Sequence, residues 1–186
     1  MLKFLRFAAV LLAGLMAGCS SIPSETALNS TTYSAQNAGL IVGALVNGEG
    51  YGTWFELRNT DTGKTYGWAA RDYYSAWLPA GNYELQRLGG RRGVLGAYAR
   101  PLHFSVKQGA LNYLGELVYD CPLDAWPSTQ YGPVNCGFLA LGECSVPYSS
   151  VKTCMVDRQE QAVRSFIRKN PEYSNMPVRS AVMVGR

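Results

Sequence analysis

Histidine is almost absent from this chain: His103 is the only one in 186 residues. That scarcity weighs against nucleophilic hydrolysis of the Ser-His-Asp kind, which needs an imidazole within reach of the nucleophile. His103 sits in "RPLHFSVK" on the face opposite Leu102, Phe104 and Val106, so it is expected to look towards solvent. Metal binding is poorly served as well, because no C-x-x-C pair occurs and no second histidine completes a ligand set. The 13 acidic residues are scattered singly, with no spacing that marks a catalytic pair. Glycine-rich stretches such as "GGRRGVLG" match neither the P-loop nor the dinucleotide fingerprint. No catalytic residue, cofactor or metal is assigned, and the chain does not read as an enzyme.

An apolar run long enough to span a membrane is also missing. The N-terminal run extends from Phe7 to Ala17, whereas a spanning helix needs about 20 residues. Lys3 and Arg6 precede it and the small residues Ala17 and Gly18 close it, which gives it the charge, length and exit of a secretory signal. Cys19 follows. "LMAGC" resembles the lipobox of bacterial lipoproteins, in which small residues stand directly before the cysteine that becomes the lipidated first residue; Met16 replaces the usual Leu, Val or Ile. The resemblance implies that residues 1–18 are removed as a signal peptide and that Cys19 carries the lipid. Two or more acyl chains anchor a protein stably where one does so only marginally. It further implies, from Ser20 where an Asp would retain the protein at the inner membrane, an outer-membrane location facing the periplasm or the cell surface.

Removal of that signal leaves 168 residues with 15 basic and 13 acidic side chains. So small an excess is not the footprint of a nucleic-acid binder. Tyrosine is plentiful at 12 and tryptophan numbers 4, which with frequent glycine favours a β-rich extracytoplasmic domain. With Cys19 assigned to lipid, Cys121, Cys136, Cys144 and Cys154 form an even set, and an oxidising compartment makes them disulfides. Spacing alone leaves their pairing open.

Residues 20–38 are rich in Ser, Thr, Asn and Ala and read as a flexible tether, with the folded domain at 39–186. "GLIVGALV" is a short apolar run fit for a buried strand, while "TWFELRN" alternates with Phe55 and Leu57 on one face. Tyr83 and Leu85 share a face beyond the Pro79–Gly81 turn, as do Leu102, Phe104 and Val106 in the strand that ends at "KQGA". Cys121 to Cys154 with its prolines reads as an ordered, stapled insertion. The one clear helix covers 157–169, opened by Asp157 and Glu160 in a capping-box outline and striped by Ala162, Val163, Phe166 and Ile167. The tail "PVRSAVMVGR" adds a short strand or an extended segment. Regularly spaced strands with turns between them argue for a mainly β, antiparallel sandwich with one C-terminal α-helix.

"WLPAGNYEL" followed by "FSVKQGALNYLGEL" resembles the pattern of immunoglobulin-like and transthyretin-like sandwiches, including carboxypeptidase-regulatory-like modules, over roughly Gly39 to Tyr119. The resemblance implies about seven strands and transfers no functional residue. The aromatic set Trp68, Tyr73, Tyr74 and Trp77 in "YGWAARDYYSAW" is the candidate platform for stacking on a glycan or a peptide. The functional expectation is a non-catalytic structural or interaction module held at the membrane by Cys19, with an envelope protein as partner and a glycan or peptide ligand as the alternative.

Overall fold

In a computed structural model of the chain, the described residues are 33–46, 54–69, 73–90, 93–96, 101–119, 121, 126–136 and 142–185. The signal, Cys19 and most of the tether lie outside them. The described chain is mainly β with one helix, arranged as two sheets. Strands run in the order β1 (Ala38–Val46), β2 (Trp54–Asn59), β3 (Thr65–Ala69), β4 (Tyr73–Pro79), β5 (Gly81–Gly90), β6 (Gly93–Gly96), β7 (Leu102–Val106), β8 (Leu111–Tyr119), β9 (Trp126–Cys136) and β10 (Gly142–Val156). The helix α1 (Gln159–Lys169) follows, then β11 (Val178–Ser180) and β12 (Val184–Gly185). Twelve described strands exceed the expected seven: β1 to β8 already number eight, and the paired cysteine segment and tail add four.

One sheet has β4, β1 and β8 side by side, with β10 and β11 sharing the far edge of β8. The other has β3, β2 and β5, with β6 and β7 sharing the far edge of β5. Two connections join the sheets. The β9–β10 hairpin pairs with β6 at one end and with β8 at the other, and the tail passes from β8 through β11 to β7 through β12. Most pairs are antiparallel, but β1 and β11 both run parallel to β8.

The alternating strands bury the expected faces. Phe55, Leu57, Tyr83, Leu85, Leu102, Phe104 and Val106 meet Ile41, Leu45, Leu114 and Leu117 between the sheets. "GLIVGALV" has no polar face because β1 is buried on both: α1 covers its outer side through Val42, Ala162 and Val163. A strand enclosed on two faces reads as a continuous apolar run. Phe166 stacks on Tyr173 at 5.8 Å, and Tyr173 meets the edge of Trp77 at 6.0 Å, so the end of α1 closes over β4. Each such aromatic contact is worth about 0.5–1.5 kcal/mol beyond area burial.

The helix begins one residue later than its capping box implied, at Gln159. Arg158 is the N-cap residue and makes no side-chain cap bond; Asp157 Oδ1 accepts from the backbone N–H of Gln159 at 3.1 Å instead. Glu160 pairs with Arg164 one turn on rather than reaching back. The start is fixed by β8: the Arg158 N–H donates to the Tyr113 hydroxyl at 3.0 Å, and its guanidinium reaches the buried Glu116 carboxylate at 3.2 Å.

Candidate functional site

The aromatic platform does not assemble. Tyr73 is half exposed, but Tyr74 and Trp77 are both 7 % exposed and lie on opposite faces of β4. Strand geometry dictates this, since successive side chains alternate. Tyr74 packs edge-on against Phe55 between the sheets at 4.6 Å. Trp77 does share the outward face with Tyr73, and that face is where Tyr173 covers it. Trp68 stands opposite Phe55 in the β2–β3 pairing, and its side chain lies outside the described residues.

Cys121 and Cys154 are joined, with a Cα separation of 5.8 Å. The bond ties the chain just beyond β8 to the residue of β10 that pairs with Val118, so it closes the β9–β10 hairpin at its base. Cys136 and Cys144 stand on the facing strands near the turn, where Cys144 pairs with Val134 and Cys136 with Gly142. The expectation of a second bond is checked by counting thiols in the unreduced, denatured mature protein. No late cysteine is expected to react, and two reactive thiols would leave the second bond unformed.

Among the described residues, the space between the sheets is nearly filled by side chains. The gap ringed by Leu45, Phe55, Leu57, Leu88, Leu117 and Met183 has a volume of about 10 Å³, room for one water-sized sphere.

An open groove of about 660 Å³ lies where the tail crosses from β8 to β7. Its walls include Asn82 from β5, His103 and Ser105 from β7, Arg179 and Ser180 from β11, and Val184 from β12. His103 and Ser105 are half-buried on the outward face of β7, as the alternation required. Arg179 reaches across from β11. Its Nη2 donates to Ser105 Oγ at 2.9 Å and its Nη1 to the Ser105 carbonyl at 3.4 Å. The guanidinium thus covers part of the β7 edge beyond His103, where the pairing with β12 ends.

No acidic side chain is among the described residues that line this groove. The acids nearby are already engaged. Asp61 accepts from the Asn82 backbone N–H at 2.9 Å and from its side-chain amide, and these bonds hold its carboxyl below the usual carboxylate range. Glu84 pairs with Arg58 at 3.4 Å. Behind the groove, the buried Tyr83 ring stacks on Phe104 at 5.4 Å and its hydroxyl donates to the Pro79 carbonyl at 2.8 Å; burial pushes that phenol well up.

Sequence reasoning did not single out Arg179, Ser105 or Asn82. One signal was present: Arg179 is the lone charge in "PVRSAVMV", a tail otherwise apolar or small. The chain matches no family model, and neither curated proteins nor solved structures show a significant match to it.

Proposed function

We propose that this chain is a lipid-anchored cell-envelope protein whose domain acts as a non-catalytic interaction module at an outer membrane. The anchor reading is supported by "LMAGC" with its basic, short apolar leader and by Ser20 after Cys19. The domain begins to be described at Tyr33, fourteen positions after Cys19, and Tyr33 packs with Ala38, Leu40 and Trp77 beside the end of α1. A tether of that length keeps the domain within reach of the bilayer surface. The observation that carries the interaction role is the open polar groove between β7 and β11, set against an interior filled by side chains. The transthyretin-like likeness belongs to this reading as a scaffold and assigns no residue a role. Burial of Tyr74 and Trp77 removes the basis for the stacked glycan site.

Cys19→Ser tests the anchor. Palmitate labelling is expected to vanish and the protein to leave the membrane fraction. Continued palmitate incorporation into the variant overturns the anchor.

A further inference from the structure

We infer that the groove between β7 and β11 takes an extended peptide segment bearing an acidic side chain, which adds as a strand to the free edge of β11 and sets its carboxylate on Arg179. The inference rests on the interaction role proposed above and names the partner's chemistry; it does not rest on the anchor at Cys19.

The strand edge is the first observation. The Leu111 N–H donates to the Pro177 carbonyl at 3.0 Å, and the Ala181 N–H donates to the Tyr113 carbonyl at 2.8 Å. In a parallel ladder, alternate residues of a strand serve one neighbour. Pro177, Arg179 and Ala181 therefore turn their backbone groups to β8, and Val178 and Ser180 turn theirs outward. Among the described residues no strand pairs with that outer side of β11. Such an edge accepts an added strand, with main-chain bonds giving affinity and side-chain contacts giving selectivity.

The charge is the second. Arg179 takes part in none of the ion pairs among the described residues. Two of its side-chain N–H groups serve Ser105, and a guanidinium carries five, so three remain for a carboxylate in fork geometry. The described groove lining supplies no acid to occupy them, and Asp61 and Glu84 are held by Asn82 and Arg58. β3 and β4 also end their sheets. The β7–β11 cleft differs from them in setting an arginine between two strand edges that face one groove.

The test uses the full-length protein in detergent micelles and a capped octapeptide of alternating valine and threonine with one central glutamate. Replacing that glutamate by glutamine is expected to weaken binding about tenfold, a loss of about 1.4 kcal/mol. N-methylation of alternate peptide amides is expected to weaken it by at least as much, because it removes strand donors. Arg179→Gln should abolish the preference for glutamate while keeping the N-methyl effect. Ser180→Pro, which deletes an outward N–H and leaves the β8 ladder intact, should lower affinity for both peptides. The two peptide changes leave the protein untouched, so they decide the matter even where a variant fails to fold. Equal binding of the two peptides, indifference to N-methylation, displacement by acetate at the peptide's own affinity, or no binding at about millimolar peptide would each overturn the assignment. A photo-crosslinker at Tyr73 on β4 that captures an envelope protein in intact cells, with none captured from Ser180, preserves the interaction role and rejects this groove.

Discussion

Replacing Cys121 and Cys154 together by alanine is expected to lower stability by about 3–4 kcal/mol. The bond joins positions 33 apart, and closing a loop of that length removes about 3.7 kcal/mol of chain entropy from the unfolded state at 25 °C. The double replacement avoids leaving a reactive thiol. In a domain of this size each kcal/mol moves the midpoint by about 2–4 °C, so the thermal transition should fall by roughly 6–16 °C. Circular dichroism melts of the oxidised wild type, the reduced wild type and the double variant measure it. A fall below about 3 °C in the double variant would show that β8 and β10 hold the hairpin without the bond. The structural reason to expect the larger figure is local. Among the described residues β10 meets β8 only at Val156 to Thr153, and Cys154 lies inside that short pairing.

The strands that were legible in the sequence are those with one wet face. β5 and β7 alternate because a polar side lies opposite the core, and the same holds for the α1 stripe of Ala162, Val163, Phe166 and Ile167, which packs on β1, β8 and the 3₁₀ turn after it. The cysteine segment was not legible as strand. Pro127, Pro133 and Pro147 fall within β9 and β10, and a proline in a strand removes a ladder donor, so such a stretch reads as loop. Tertiary pairing overrides the local signal here, and Pro147 sits where the register of β9 against β10 slips. Glu56 and Glu116 are hidden for a related reason. Each occupies a strand position that alternation assigns to water, and each is buried beside an arginine, Arg87 at 3.7 Å and Arg158 at 3.2 Å.

The candidate site was less legible than the fold because it is built from distant segments. Ser105 and Arg179 are separated by 74 positions, and neither belongs to a motif. What brings them together is the tail's passage from one sheet to the other, a choice of topology that local periodicity does not encode. The aromatic cluster shows the converse. Four rings close in sequence looked like a surface, and strand alternation with the covering helix end separated Tyr74 from Tyr73 and hid Trp77.

Asn112 is the single residue whose loss should cost most after the disulfide. It is fully buried in β8, between Leu111 and Tyr113, where an amide contributes no apolar packing. Its two Nδ2 hydrogens serve the Ala110 carbonyl at 2.9 Å and the Lys107 carbonyl at 3.1 Å and are shared with the Leu40 carbonyl at 3.4 Å, while its Oδ1 accepts from the Lys107 N–H at 2.9 Å. One side chain thereby pins the β7–β8 turn onto β1. Gly39 makes room for it: a Cβ there would stand 2.6 Å from Asn112 Nδ2 and 2.3 Å from the Lys107 carbonyl oxygen. Asn112→Leu keeps the branching of the side chain, puts two bulkier methyl groups in place of the amide and strips the turn of its partners, at an expected cost of about 2–4 kcal/mol. The N112D variant separates hydrogen bonding from packing. Its carboxylate would face carbonyl oxygens in a buried site, which raises its folded pKa above the unfolded value of about 3.9. The native state then binds the proton more tightly, so stability is retained below that value and lost as pH rises through the raised folded pKa. Urea denaturation at acidic and neutral pH measures this as a deficit against wild type that widens towards neutrality. A deficit that stays constant with pH, or an Asn112→Leu cost under about 1 kcal/mol, would mean that the turn is held by its backbone alone.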